Sequence, residues 1–387
     1  MDICKWYNNA NSPVLFMIDD LANVWVDLNG NGLIDLGEDW GYAKRKSNSS
    51  FKYLEDEILD GFKQVKTTFF LPTGIRVGML ENPTISSVSK MINCDIETIE
   101  FLKGVNDDIR YEIAYHGTTH GKVGGSTEDF IQEWQTYTSL EEAIKTIETG
   151  KKIFKEVFGY YPSGGKYCGY ATNEFSNDSI DKSGFLWWCR EWNRGKKHKT
   201  ANDFRFEFDI KEFGKNSIID IPSTLALNIT SSEKSIKSIV KNAIKKMTFN
   251  QRIKQIEFLL ANKLVISIQE HMSPARDDGR VQNPNIFDDA EYLKRIFKYL
   301  INKNVWFCTC TELAEYYILR KNSTINFIND NKFSIKYNSD KKIKWNKLSI
   351  VADNEINHIR MPDRKVVNKV NGCFDIEVMD GIYEVLI

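Results

Sequence analysis

Two observations predict the fold class. Over residues 1–321, short apolar runs alternate with stretches of helical periodicity, which implies a parallel α/β sheet. About seven such repeats suggest a barrel. After residue 321 the texture changes to alternating apolar and polar residues with Asn, Asp and Gly turns. Residues 322–387 are therefore expected to form a small all-β domain after a barrel domain of 1–321.

The elements follow in order. "PVLFMI" (13–18) ends at a polar pair and reads as a buried strand. "FKYLEDEILDGFKQV" is helical, "TTFFL" a strand, "DIETIEFLKGV" a helix. "YEIAYH" is a strand running into His116. "TSLEEAIKTIETGKKIFKEV" (138–157) is an amphipathic helix with a Ser/Thr start and a Gly stop. "FLWWCREW", "SIIDIP" and "LVISIQ" are strands. "DDAEYLKRIFKYLIN" is a helix, "VWFCTC" a strand, and "TELAEYYILRK" the last helix.

Composition narrows the function. A net charge of −1 gives no general pull toward nucleic acid or an anionic membrane. No apolar run approaches the roughly 18–20 residues of a membrane span. The start, "MDICKWYNNANSP", lacks the basic and apolar regions of a secretory signal. The seven cysteines are scattered, without a C-x-x-C pair, and are expected to be reduced and mostly buried. A cytoplasmic protein is expected.

In parallel α/β folds, chemistry gathers where strands end. Here the first strand ends in Asp19-Asp20, another runs into "HGTTH" with His116 and His120, and a third ends in His271. Three of the five histidines lie at these ends. His198, in a Lys-rich loop, and His358 read as solvated. Two histidines four apart plus a neighbouring carboxylate can hold one metal and leave positions open for water and substrate. Adjacent aspartates at a strand exit point apart, so one can bind metal while the other handles a proton.

"FMIDD", "HGTTH" and "ISIQEH", in this order and at these separations, resemble motifs of the polysaccharide deacetylase family, also called the NodB-homology domain or carbohydrate esterase family 4. The resemblance spans residues 12–320. It implies a distorted (β/α)7 barrel that removes N- or O-acetyl groups from sugars with one divalent metal, usually zinc. Carried over, Asp20, His116 and His120 are the metal ligands, Asp19 the general base and His271 the general acid. Departures from the family's third and fourth motifs, which here read "YYPSGGKYCGY" and "FLWWCREW", resemble a divergent, non-secreted branch grouped with O-antigen loci.

"YYPSGGKYCGY" stands where the family has an Arg followed by Pro and an aromatic. Lys166 falls near the Arg position, and Tyr167 is positioned to offer an oxyanion-hole amide. Strand alternation puts Trp188, Arg190 and Trp192 on one face; Arg190 either holds an anionic substrate group or stacks on Trp192. Lys166, Tyr167 and Arg190 are the expected substrate-binding residues. Glu270 reads as a wall residue. The expected substrate is a sugar, nucleotide-sugar or glycan. The alternatives are a metal amidohydrolase acting on a non-sugar amide and a glycan-binding barrel without catalysis.

"DLNGNGLIDLGE" (27–38) fits the calcium-loop pattern at every position. Only Leu21 to Val26 separate it from the Asp19-Asp20 strand end, too few for the entering helix of an EF-hand. It reads first as a rim loop whose side chains cap their own backbone, and second as a structural calcium site.

Overall fold

The computed structural model describes residues 1–191, 208–226 and 238–386, with the side chains of 226 and 238–248 left aside. Trp192 and His198 lie outside the described residues. Nine parallel strands form one sheet: β1 Ser12–Asp19, β2 Thr67–Leu71, β3 Tyr111–Tyr115, β4 Gly164–Lys166, β5 Trp187–Cys189, β6 Ile218–Asp220, β7 Leu225–Ala226, β8 Ile266–His271 and β9 Val305–Phe307. The order is β6-β5-β4-β3-β2-β1-β8-β7. β9 pairs with the first residues of β1, and Lys211–Phe213 adds an antiparallel edge beside β6. The two outermost parallel strands, β6 and β7, are joined by only Ile221 to Thr224. Ser267 of β8 ties that link, donating to Pro222 O (2.5 Å) and accepting from Thr224 N (2.9 Å).

The longer helices among the described residues are α1 Ile96–Asn106, α2 Leu140–Phe158, α3 Ser238–Ala261, α4 Ala290–Leu300 and α5 Cys310–Asn322. Their ends carry the expected signals. Ser139 accepts from Glu142 N, Gly159 closes α2 at φ 81°, and Thr309 with Glu312 forms a capping box on α5.

Every residue of β1 is buried, as a strand covered on both faces requires. Val14, Phe16 and Ile18 pack toward the helices with Leu293 and Phe297. Leu15 and Met17 pack on the other face with Phe70, Ala114, Trp187 and Cys189. This second face is the one that Asp19 and His116 continue, by the period of two. Gly164 and Gly165 admit the tryptophans of β5. A Cβ at Gly164 would stand 2.1 Å from the Trp187 ring, and one at Gly165 only 2.3 Å from Tyr115 O.

The second apolar cluster continues through Leu313, Tyr316 and Leu319 of α5 into Leu348, Ile350 and Phe374. Residues 323–386 are all strand and turn, in a five-stranded sheet and a three-stranded one. The three-stranded sheet takes in Asp2–Ile3, paired antiparallel to Ile350 and Val351. The extreme N-terminus therefore belongs to the same sheet as the C-terminal strands. Among the described residues, six free cysteines are buried and Cys94 is exposed. No helix there is long and apolar enough to cross a membrane.

Candidate active site

Strand register assembles the site. Asp19 ends β1 directly opposite His271, which ends β8. On its other side Asp19 faces Phe70 of β2, which faces Ala114 of β3, two residues before His116. The strand-end residues expected from sequence therefore meet at one end of the sheet. The chain's N-terminus and α5 lie at the other end, where Thr311 contacts Glu112 and Trp187 at the strand starts.

Asp19 and Asp20 are both buried and point to different partners. Asp20 has φ 62°, a left-handed conformation that turns its side chain away from that of Asp19. Asp19 Oδ1 accepts from Lys166 Nζ at 2.6 Å. Lys166 is fully buried. It also donates to Gln269 Oε1 and sits 3.9 Å from the Phe70 ring centroid. Burial works to raise the Asp19 carboxyl, but Lys166, His116 and His271 prevail and hold it below its ordinary range. Asp19 is thus an ionised carboxylate in a dry setting.

Asp20 Oδ2 accepts from Arg76 Nη2 at 2.9 Å. Its other oxygen, Oδ1, is buried without a hydrogen-bond partner and lies 3.2 Å from His120 Nε2 and 3.9 Å from His116 Nε2. Burial pushes the Asp20 carboxyl up; Arg76, His120 and His116 pull it far below the usual carboxylate range. Burial pushes the His120 imidazole down to about 3, against the pull of Asp20, so the ring is neutral at pH 7. His116 Nδ1 lies 3.1 Å from Lys166 O, which points Nε2 inward when that nitrogen carries the proton. An ionised oxygen without a donor, facing two imidazole nitrogens, fits a divalent cation.

Cys168 competes for the third ligand position. His116, His120 and Cys168 can bring one donor atom each within 4.8 Å of one another. The thiol, however, donates to His116 O at 3.2 Å, and burial pushes its pKa well above the ordinary value. A metal needs the thiolate, which this setting disfavours, whereas Asp20 is already charged.

His271 has Nδ1 2.7 Å from Pro284 O and Nε2 2.9 Å from Gln282 Nε2. The consistent assignment is Nδ1–H donating to the carbonyl and Nε2 accepting from the amide. Burial holds this imidazole below its ordinary range, against the pull of Asp19 and Asp20. Around these groups three loops meet. Ser273 donates to Gly37 O (2.7 Å), Thr127 to Asp278 (2.8 Å), and Arg280 pairs with Glu128 (2.6 Å).

The remaining expected residues fall elsewhere. Lys166 is beneath Asp19 and has no exposed surface for substrate. Tyr167 is buried among Trp134 and Trp188, and its amide makes a long 3.5 Å bond to Cys189 O. Arg190 corrects the expectation that its face lines the site. Trp187 and Cys189 take the inner face, while Arg190 turns outward onto Asp220 (2.9 Å) and the Phe213 ring (4.4 Å). Glu270 also faces outward, and burial raises its carboxyl well above its ordinary range. His358 is exposed on the C-terminal sheet. Arg76, Gln269, Gln282 and Glu133 were not foreseen. Arg76, Gln282 and Glu133 sit in stretches whose local pattern carries no chemical signature, and Gln269 lies within "ISIQEH", two residues before the histidine that drew the reading.

In loop 27–38, Asp27 accepts from Asn31 N (3.1 Å) and Gly32 N (2.9 Å), and Glu38 from Leu28 N (2.9 Å) and Asp35 N (3.1 Å). The Nδ2 groups of Asn29 and Asn31 both donate to Asp35 Oδ2, at 2.6 and 2.8 Å. The loop caps its own backbone.

No protein-family model matches this chain, and no curated relative matches it. Among solved structures it is similar to a probable polysaccharide deacetylase from Pseudomonas aeruginosa PAO1, with 15% identity over 81% of this chain and 93% of that one, at a TM-score of 0.48. It is also similar to Puue allantoinase, with 14% identity over 81% and 92% of the two chains, at 0.47. A third is a family 4 acetyl xylan esterase from Clostridium thermocellum in complex with a cobalt ion, with 14% identity over 78% and 90%, at 0.36. Several of the similar structures are polysaccharide or chitin deacetylases. At these identities and TM-scores the likenesses say nothing of this chain's own reaction, which has to be argued from its residues.

Proposed function

We propose that this protein is a metal-dependent hydrolase that removes an acyl group, N-acetyl first, from a sugar or glycan precursor. The sheet, its outermost parallel strands joined by four residues, is read as a distorted (β/α)7 barrel. One observation carries the reading: Asp20 Oδ1, buried and without a hydrogen bond, faces both His116 and His120 beside the ionised Asp19. A glycan-binding barrel without catalysis has no use for that arrangement.

Asp20, His116 and His120 would hold the metal, zinc in the first instance. When bound, such an ion lowers the pKa of its water from about 15.7 toward 7 and polarises an acyl carbonyl. Asp19 accepts the proton of the attacking water, and Lys166 keeps it ionised for that task. His271, its Nδ1–H fixed on Pro284 O, presents to the leaving nitrogen an Nε2 that carries no proton at rest. To act as the acid it first takes up a proton there from solvent and passes it to the leaving nitrogen, while Asp19 returns the water's proton to solvent as the products leave. Gln282 occupies that nitrogen at rest, so the leaving group must take its place.

The test combines elemental analysis with a screen for acetate release from N-acetyl sugars and nucleotide-sugars, run beside small cyclic amides. The expected result is about one divalent ion per chain and acetate from a sugar. His116→Ala with His120→Ala should abolish the metal; stoichiometric metal in that double variant would sink the ligand assignment. Turnover of cyclic amides alone would replace the sugar reading with the amidohydrolase one.

A further inference from the structure

The segment between the two histidines is not helical. His120 has φ 71° and Gly117 φ 86°, so the chain curls rather than winds. What it curls around is Glu133, buried, at the start of the short helix Glu133–Thr136. Its carboxylate accepts three consecutive backbone amides: Thr118 N at 2.9 and 3.0 Å, Thr119 N at 2.8 Å and His120 N at 2.7 Å. Tyr137 Oη donates to Glu133 Oε1 at 2.9 Å, and Thr119 Oγ1 to Oε2 at 3.4 Å. The fit is close: a Cβ on Gly117 would stand 2.6 Å from Glu133 Oε2.

We infer that Glu133 is a positioning residue, a fixed anion that moulds the His116–His120 loop and sets His120 for metal binding. The assignment rests on the metal-dependent reading above. The backbone carries the effect from Glu133 to His120. Donors on successive residues converge on one point only when the chain takes an αR/αL-type curl, and a buried carboxylate rewards that curl with charge-assisted bonds. His120 is the residue in the left-handed conformation, which costs a non-glycine residue energy and persists only when its surroundings over-determine it. Releasing its amide frees it to relax and carries Nε2 away from Asp20 Oδ1. Among the described residues, no hydrogen bond fixes the other nitrogen of His120, Nδ1, which is buried without a partner. The ring packs near His116 (centroids 5.1 Å) and Phe130 (6.5 Å) but has no hydrogen bond on Nδ1 to fix its aim, so it depends on its backbone more than His116 does, which has Lys166 O.

The experiment is a metal-binding isotherm on the full chain, stripped and titrated with Co²⁺, read by its visible absorption and by competition with a chelator. Glu133→Gln keeps the size and removes the charge and one acceptor. It is expected to weaken Co²⁺ binding roughly 10–100-fold, the usual scale for an outer-shell partner of a ligand, and to alter the band shape. The same change in a His120→Ala background should add less than threefold, because the effect acts through His120. Glu133→Asp, which keeps the charge and withdraws it by one methylene, is the second variant should Gln fail to fold. Unchanged Co²⁺ affinity in either folded variant, or full additivity with His120→Ala, overturns the assignment. A wild-type chain that binds no Co²⁺ overturns the hydrolase reading itself, and this inference with it.

Discussion

The two aspartates at the exit of β1 differ in every respect that matters for chemistry, although they are neighbours. Asp19 is matched to a lysine and Asp20 to an arginine, and the backbone turn at Asp20 separates them. Asp19→Asn is expected to keep metal content while cutting turnover by roughly 10²–10⁴, the scale for removing a proton-transfer group. Metal loss in that variant would show that Asp19 is a ligand instead. Lys166→Met tests the electrostatics. The Asp19 carboxyl has a folded-state pKa below its unfolded value of 3.8. Its contribution to stability is therefore complete above that value and is lost as pH falls through the folded pKa. Without Lys166 the burial effect, which raises the pKa, loses its largest opponent and is met only by His116 and His271. The acid limb of activity should then move to higher pH, and metal-free variant should gain stability relative to wild type on going from pH 7 to 5. An unmoved acid limb, measured with metal saturating, would mean that Lys166 does not govern the base.

At the scale of elements, the site depends on strand ends and on the loops that follow them. The loop 27–38 has the composition of a cation loop and the hydrogen bonding of a self-capped turn. Asp27→Ala removes a carboxylate that accepts two backbone amides, and should cost roughly 1.5–3 kcal/mol of stability. The same loss is expected in EGTA and in millimolar calcium. Thermal melts in both settle the point; a calcium-dependent rise that vanishes in the variant would make the loop a calcium site. Because Gly37 O is held by Ser273, two residues after His271, loosening this loop should also lower turnover modestly.

For the whole molecule, the C-terminal strands are joined to the sheet by packing as well as by sequence. Tyr316 Oη donates to Cys4 O at 2.9 Å, and Glu315 accepts from the amides of Lys344 and Trp345 at 3.1 and 2.9 Å. A chain ending at residue 321 keeps every site residue and exposes the face of α5 carrying Leu313, Tyr316 and Leu319. It is expected to aggregate at concentrations where the full chain is monodisperse, as measured by sedimentation velocity. A soluble 1–321 fragment that melts cooperatively would instead show that the C-terminal strands accompany a self-sufficient domain.

Much was legible in the sequence because it is written in short-range pattern. β1 is a nearly continuous apolar run, β2 and β3 carry short apolar stretches, α2 has its Ser139 start and Gly159 stop, and Asp19, His116 and His271 each stand where such a strand ends. β4 was not legible: three residues, two of them glycine, carry no periodicity, and its place is set by the tryptophans on either side. Which face of β5 turns inward was not legible for a related reason. Trp187 and Trp188 are equally apolar, so alternation alone could not say which turns inward. Arg190 followed the outward choice. Arg76, Glu133, Gln269 and Gln282 are 11 to 103 residues from the groups they hold. By itself, the sequence determined which residue types stand at the strand ends, because hydrophobic period and chain direction are local properties. Only the tertiary structure decided their charge states and aim. Those depend on burial and on partners brought near by sheet register, which local pattern does not contain.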